Sequence, residues 1–109
     1  AADVVNIKVP KCGGIYRSQK IAALCEEAGI PCFLGGCLET TPGTAAQAHF
    51  YTSTQNIISA AEMEGPWCYV DDVVRDPMDM RKGTVKIPEG PGMGVVIDEE
   101  KVARYRVDF

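Results

Sequence analysis

The chain has 109 residues, 46% hydrophobic and 24% charged, with a net charge of −4. That is the composition of about one globular domain, with enough apolar residues to bury a core. It lacks the grouped lysines and arginines that nucleic acid or an anionic membrane surface requires, and no apolar run approaches the ~20 residues that span a bilayer.

Val4, Val5 and Ile7 favour a strand, which Pro10 and Gly13-Gly14 stop and open into a loop. Side chains alternate along a strand, so Val5 and Ile7 would pack on covering helices while Val4, Asn6 and Lys8 share the other face. Lys8 then stands at the C-terminal end of the strand, where α/β folds carry their chemistry. On spacing alone it also reads as an ordinary solvated surface lysine.

Residues 15–28 read as a helix. Ile15, Ile21, Ala22, Leu24, Cys25 and Ala28 make an apolar stripe, Arg17, Gln19, Glu26 and Glu27 face out, and Gly29 and Pro31 end it. Residues 31–34 form a short buried strand closed by Gly35-Gly36. Thr41 suits an N-cap and Pro42 a first helical position for a second helix over residues 44–54. Ala45, Ala46 and Ala48 let that helix lie close to a sheet, and residues 56–61 read as a third strand ending at Glu62-Met63-Glu64.

This alternation is the βαβ pattern of an α/β fold, with parallel strands and right-handed crossovers. It places Lys8, Glu39, Glu62 and Glu64 around one rim, although acidic loop residues also serve simply to keep a surface wet. After Trp67 the pattern changes. Residues 84–87 read as a hairpin strand and residues 95–97 as another. Residues 88–94 hold too many Pro and Gly for regular structure and no phosphate-loop lysine. Asp98-Glu99-Glu100 opens a last helix to about residue 106, with Lys101, Arg104 and Arg106 toward its end, as the helix dipole favours.

The five cysteines show neither metal-site spacing nor a disulfide framework. Cys25 and Cys32 read as small buried apolar residues, while Cys12 and Cys37, in strand-end loops, stay open to thiol chemistry. His49, within the second helix, reads as a packed or capping residue. A start at Ala1-Ala2 running straight into a strand, with no signal-peptide pattern, is expected of a piece of a longer cytoplasmic protein.

Three stretches together resemble the muconate lactonizing enzyme group of the enolase superfamily, which includes the mandelate racemases and muconate cycloisomerases. They are Ile7-Lys8-Val9-Pro10-Lys11-Cys12-Gly13-Gly14; Gly35-Gly36-Cys37-Leu38-Glu39 with Gly43-Thr44-Ala45-Ala46 and His49; and Gly92-Met93-Gly94-Val95-Val96-Ile97-Asp98-Glu99-Glu100. The resemblance runs from residue 3 to about residue 105. It implies the C-terminal portion of a (β/α)8 barrel, with residues 1–72 as the last three strands and their helices, and residues 73–109 as the segment returning to an α+β capping domain.

It further implies an isomerase or cycloisomerase with one Mg2+, abstracting the proton α to a carboxylate of a small substrate. A carbon acid yields to a side-chain base only when charge on the developing enediolate is stabilised in a dry site. Lys8 matches the group's acid/base lysine, with Lys11, Gly13 and Gly14 supporting its loop. Glu39 matches the glutamate near the substrate carboxylate. Glu62 and Glu64 stand where members select substrates, and suggest an amine-bearing one. Trp67 would offer its ring to a quaternary ammonium or pack under the loop. The metal ligands and a second lysine would lie outside these residues, so the chain alone is expected to bind no catalytic metal and to be inactive. Because three barrel strands leave two unpaired edges, it would be found beside the rest of its barrel, beside other copies of itself as a homo-oligomer, or in a rearranged sheet. A dehydratase of the same superfamily, or a stand-alone α/β binding module without catalysis, are the alternatives.

Overall fold

The computed structural model describes residues 2–80 and 82–108. Its centre is two parallel strands, β1 (Val5–Ile7) and β2 (Cys32–Leu34), with Val5 opposite Cys32 and Ile7 opposite Leu34. Between them runs α2 (Ile15–Glu27), preceded by a single helical turn, α1 (Val9–Cys12). The strand therefore opens not into a loop but into a turn of helix. Pro10 sits in the first positions of that turn, where its missing N–H is not needed. Gly13, at φ 83°, closes it, and Gly14 is the N-cap of α2.

The expected apolar alternation is present. Ile7, Cys32 and Leu34 point to the helix side and form one core with Val9, Ala22 and Phe50. Asn6 and Phe33 pair on the opposite face, where Asn6 is exposed and Phe33 half-buried. Of the expected α2 stripe, Leu24 and Ala28 are exposed instead of buried, and Ser18 is buried in their stead, its hydroxyl donating to Gly14 O at 2.9 Å. Among the described residues nothing buries Leu24, which is 66% exposed.

The second long helix, α3 (Thr41–Thr52), begins three residues earlier than its pattern predicts, with Thr40 as N-cap and Thr41 already helical. Its buried face is Thr41, Thr44, Ala45, Gln47, Ala48 and Phe50. The small residues bring it near enough for Gln47 Nε2 to donate to Gly35 O at 3.3 Å.

The third strand is not formed. Its chain does run parallel along β2: Cys32 N–H donates to Asn56 O at 2.9 Å, and Ile58 N–H donates to Cys32 O at 3.0 Å. In a regular parallel ladder residue 60 would next reach Leu34 O. Glu62 N–H takes that place, at 3.0 Å, so two extra residues bulge out and only one bridge, Cys32 with Ile57, remains. The structure is thus a small α/β piece with two strands and a third segment bridged to their edge.

A 3-10 turn, Gly65–Cys68, follows, and the tail then wanders. Residues 84–87 form no strand, and residues 95–97 contribute only the antiparallel bridge of Ile97 with Val74. Residues 88–94 lack regular structure, as their composition predicts. The closing helix, α4 (Glu99–Tyr105), has Asp98 as its N-cap, whose side chain accepts from Glu100 and Lys101 N–H groups. Among the described residues no helix is long and apolar enough to cross a membrane.

Candidate functional site

The C-terminal ends of the strands meet at Gly36. Lys8, one residue beyond β1 and half-buried, extends on the Asn6 side of the sheet, and its Nζ donates to Gly36 O at 2.6 Å. The other side of the same residue faces the carboxylate of Glu64: a Cβ on Gly36 would lie 3.0 and 3.2 Å from its two oxygens, and 2.9 Å from Glu62 O. Lys8 and Glu64 therefore converge on one glycine that has no room for a side chain.

Glu39 lies beside them. Its Oε2 accepts the Cys37 N–H at 2.9 Å, whereas Oε1 is shielded from solvent and has no hydrogen-bond partner among the described residues. A shielded carboxylate oxygen left unpaired is costly, on the order of 1–3 kcal/mol or more. The backbone of Gly65 presses on Glu39, with a Cβ there falling 2.7 Å from Glu39 N.

Glu62, Glu64 and Trp67 line a cavity of about 250 Å³. Its second wall comes from the tail, through Met80, Thr84 and Val85. Trp67 is 60% exposed, so its ring is not packed away beneath the loop. Lys11 is exposed in the last turn of α1, and Gly13 and Gly14 shape the link to α2. His49 packs as expected of a helical histidine, half-buried with Nε2 3.2 Å from Met93 O.

Gly36, Asp72 and the tail wall were not singled out by sequence reasoning. The only local signal was the Gly35-Gly36 pair, which reads as a strand stop and says nothing of a lysine 28 residues away. Asp72 is 4% exposed and bonds Thr41, a pairing no local pattern announces. The thiols are free. Burial, with Cys25 beside it, pushes the Cys32 thiol up to about 11. Among the described residues no group of three or more His, Cys, Asp or Glu could hold a metal ion, so the Mg2+ that the resemblance implies finds no ligand set here.

A short parallel sheet backed by helices, with an amine and carboxylates gathered where the strands end, defines the class. The family model for the enolase C-terminal domain-like proteins matches residues 1–101, and the chain belongs to that family. It is 36% identical over 107 residues to muconate cycloisomerase 1-1 of Acinetobacter lwoffii, covering 98% of this chain and 28% of that protein. The solved 2-chloromuconate cycloisomerase of Rhodococcus opacus 1CP superposes with a TM-score of 0.91 at 36% identity, over 99% of this chain and 29% of that one. The N-succinyl Arg/Lys racemase of Bacillus cereus ATCC 14579 gives 0.84 at 34% identity, over 99% of this chain and 28% of that one. The chain thus spans less than a third of the length of these relatives.

Proposed function

We propose that the protein carrying this chain is an isomerase or cycloisomerase that removes the proton α to a carboxylate of a small substrate, with Lys8 as the base. The observation that carries this reading is the convergence of Lys8 Nζ and the Glu64 carboxylate on Gly36, at the strand ends and beside Glu39. In this reading residues 1–72 are the last three units of a (β/α)8 barrel and residues 73–109 the C-terminal segment of a capping domain. The protein is a cytoplasmic one, and Mg2+ is held by groups outside the chain. The chain by itself turns nothing over.

The roles follow from the chemistry of each side chain. The Gly36 carbonyl fixes the Lys8 amine by one hydrogen bond and leaves its remaining positions to face a substrate. The unpaired Glu39 Oε1 accepts a donor that the substrate or the remainder of the barrel supplies. Glu62 and Glu64, with the Trp67 ring and the apolar Met63, Met80 and Val85, suit a substrate whose far end carries a cation on an alkyl stem. The name of the Bacillus cereus racemase, with its arginine and lysine substrates, agrees with that chemistry; those of the cycloisomerases point to a muconate.

The deciding experiment follows two probes with the full-length enzyme. One is deuterium uptake at the α-carbon of N-succinyl-arginine in D2O, read by NMR, and the other is loss of the muconate diene absorbance, a direction in which the protonated Lys8 delivers the α proton that ring closure consumes. One of the two proceeds, and Lys8→Met lowers it by a factor of about 10²–10⁴, the usual worth of a positioned acid/base group. A Lys8→Met enzyme with undiminished turnover would overturn the assignment.

A further inference from the structure

The tail grips the loop that carries Glu39 at three points. The Tyr69 hydroxyl donates to Leu38 O at 2.6 Å. Asp72, 4% exposed, accepts the Thr41 N–H at 2.9 Å and the Thr41 hydroxyl at 2.8 Å on Oδ2, and the Val73 N–H at 2.7 Å on Oδ1. The Thr41 Oγ1 in turn accepts the Met78 N–H at 3.3 Å.

These contacts do two things that residues 37–41 do not do for themselves. The Thr40 side chain makes no capping bond to α3, so Asp72 satisfies the first helical N–H from 31 residues away. Leu38 sits at φ 59°, the left-handed region that a bulky side chain rarely adopts, and such a conformation persists only where its surroundings hold it. Tyr69 holds the carbonyl of that same residue. Glu39 is the next residue along.

We infer that Tyr69 and Asp72 are positioning residues for the Glu39 carboxylate, so that the tail takes part in turnover by fixing the loop between Gly36 and α3. This rests on the reading of Glu39 as a substrate-facing group. Without the grip, Leu38 relaxes toward ordinary backbone and the Glu39 carboxylate swings from its place against the Cys37 N–H.

The test uses Tyr69→Phe, which removes one oxygen from an exposed side chain, and Asp72→Asn, in the full-length enzyme. Amide hydrogen exchange across residues 37–41 should rise by about tenfold in Tyr69→Phe, the loss expected of one hydrogen bond, with Cys32 and Gly35 amides unchanged. With N-succinyl-arginine or muconate as probe, kcat should fall while KM holds. The losses from Tyr69→Phe and Glu39→Gln should not multiply, because one acts through the other. Unaltered exchange in residues 37–41, or kinetic losses that multiply, overturns the inference. If Glu39→Gln turns over normally while Tyr69→Phe loosens the loop, the fault lies in the reading of Glu39. Should Asp72→Asn fail to fold, Tyr69→Phe decides alone.

Discussion

Gly36 shows how much of this site depends on the lack of a side chain. A methyl group there would stand 2.9 Å from a backbone oxygen, Glu62 O, which cannot step aside as the flexible Glu64 carboxylate can. Gly36→Ala should therefore cost about 1–3 kcal/mol of stability, as overpacked positions do, and weaken the Lys8 contact. Thermal unfolding and the Lys8-dependent exchange rate would show both. The cysteines give a second contrast at this scale. Cys32 is fully buried with its thiol pushed up to about 11, while Cys68 is exposed. Iodoacetamide at pH 8 should label Cys68 in the native chain and Cys32 only after unfolding, because the thiolate is the nucleophile; mass spectrometry of the labelled peptides reads the order. The position of Lys8 at a strand end was legible because alternation along a strand places a residue on a face without knowledge of its neighbours, and that of Glu39, Glu62 and Glu64 because the βαβ pattern gathers the loops after its strands at one end. Gly36 and Asp72 were not, because their meaning lies in partners 28 and 31 residues distant.

Helices were legible for a similar reason, since their signals are local. Asp98 with the acids after it caps α4, and Gly29, left-handed at φ 67°, lies just past α2. Strands need a neighbour as well as a propensity. Residues 84–87 have the composition of a strand but no strand beside them among the described residues, and residues 95–97 pair only through the bridge of Ile97 with Val74 and the Arg75 N–H on Val96 O. The start of α3 is less plain in the sequence because the first helical N–H is satisfied by Asp72 and not by a side chain of its own loop. In the core, Leu34 contributes a fully buried side chain to the one apolar cluster, so Leu34→Ala should lose about 2–5 kcal/mol in denaturant unfolding. The tail depends on charge. Lys101 Nζ lies 2.7 Å from Asp71 Oδ1, the Tyr105 hydroxyl donates to Asp71 Oδ2 at 2.8 Å, and these hold the Asp71 carboxyl down to about 2. A depressed carboxylate stabilises the folded state above its unfolded pKa of ~3.9, and that contribution is lost as pH falls through about 2. Helix α4 should thus detach across this acid range, and in Asp71→Asn it should be loosened at neutral pH without that dependence. Amide exchange in residues 99–105 would follow it.

At the scale of the molecule, the surface is too large for the mass. The chain exposes 7265 Å², against roughly 5,900 Å² for a compact monomer of 11.8 kDa, and its radius of gyration is 14.9 Å where about 13 Å is usual. The excess is apolar in part: Leu24, Ile58 and Val70 are 66%, 65% and 108% exposed. The outer edge of β1 also has no strand beside it among the described residues. Unpaired edges and bare apolar faces invite association. Sedimentation of the isolated chain should therefore give a species heavier than 11.8 kDa at micromolar concentration. A clean monomer would show that these faces are tolerated in water.

The bulge before Glu62 has a consequence for how the rim can change. Because neighbouring positions along an extended chain look in opposite directions, an insertion of two residues restores the original direction and an insertion of one reverses it. Shortening the segment by Ser59 and Ala60 together should leave both acids aimed as before, whereas deleting Ala60 alone should turn them into the helix layer. Loop length there can drift in even steps while the carboxylates keep their heading.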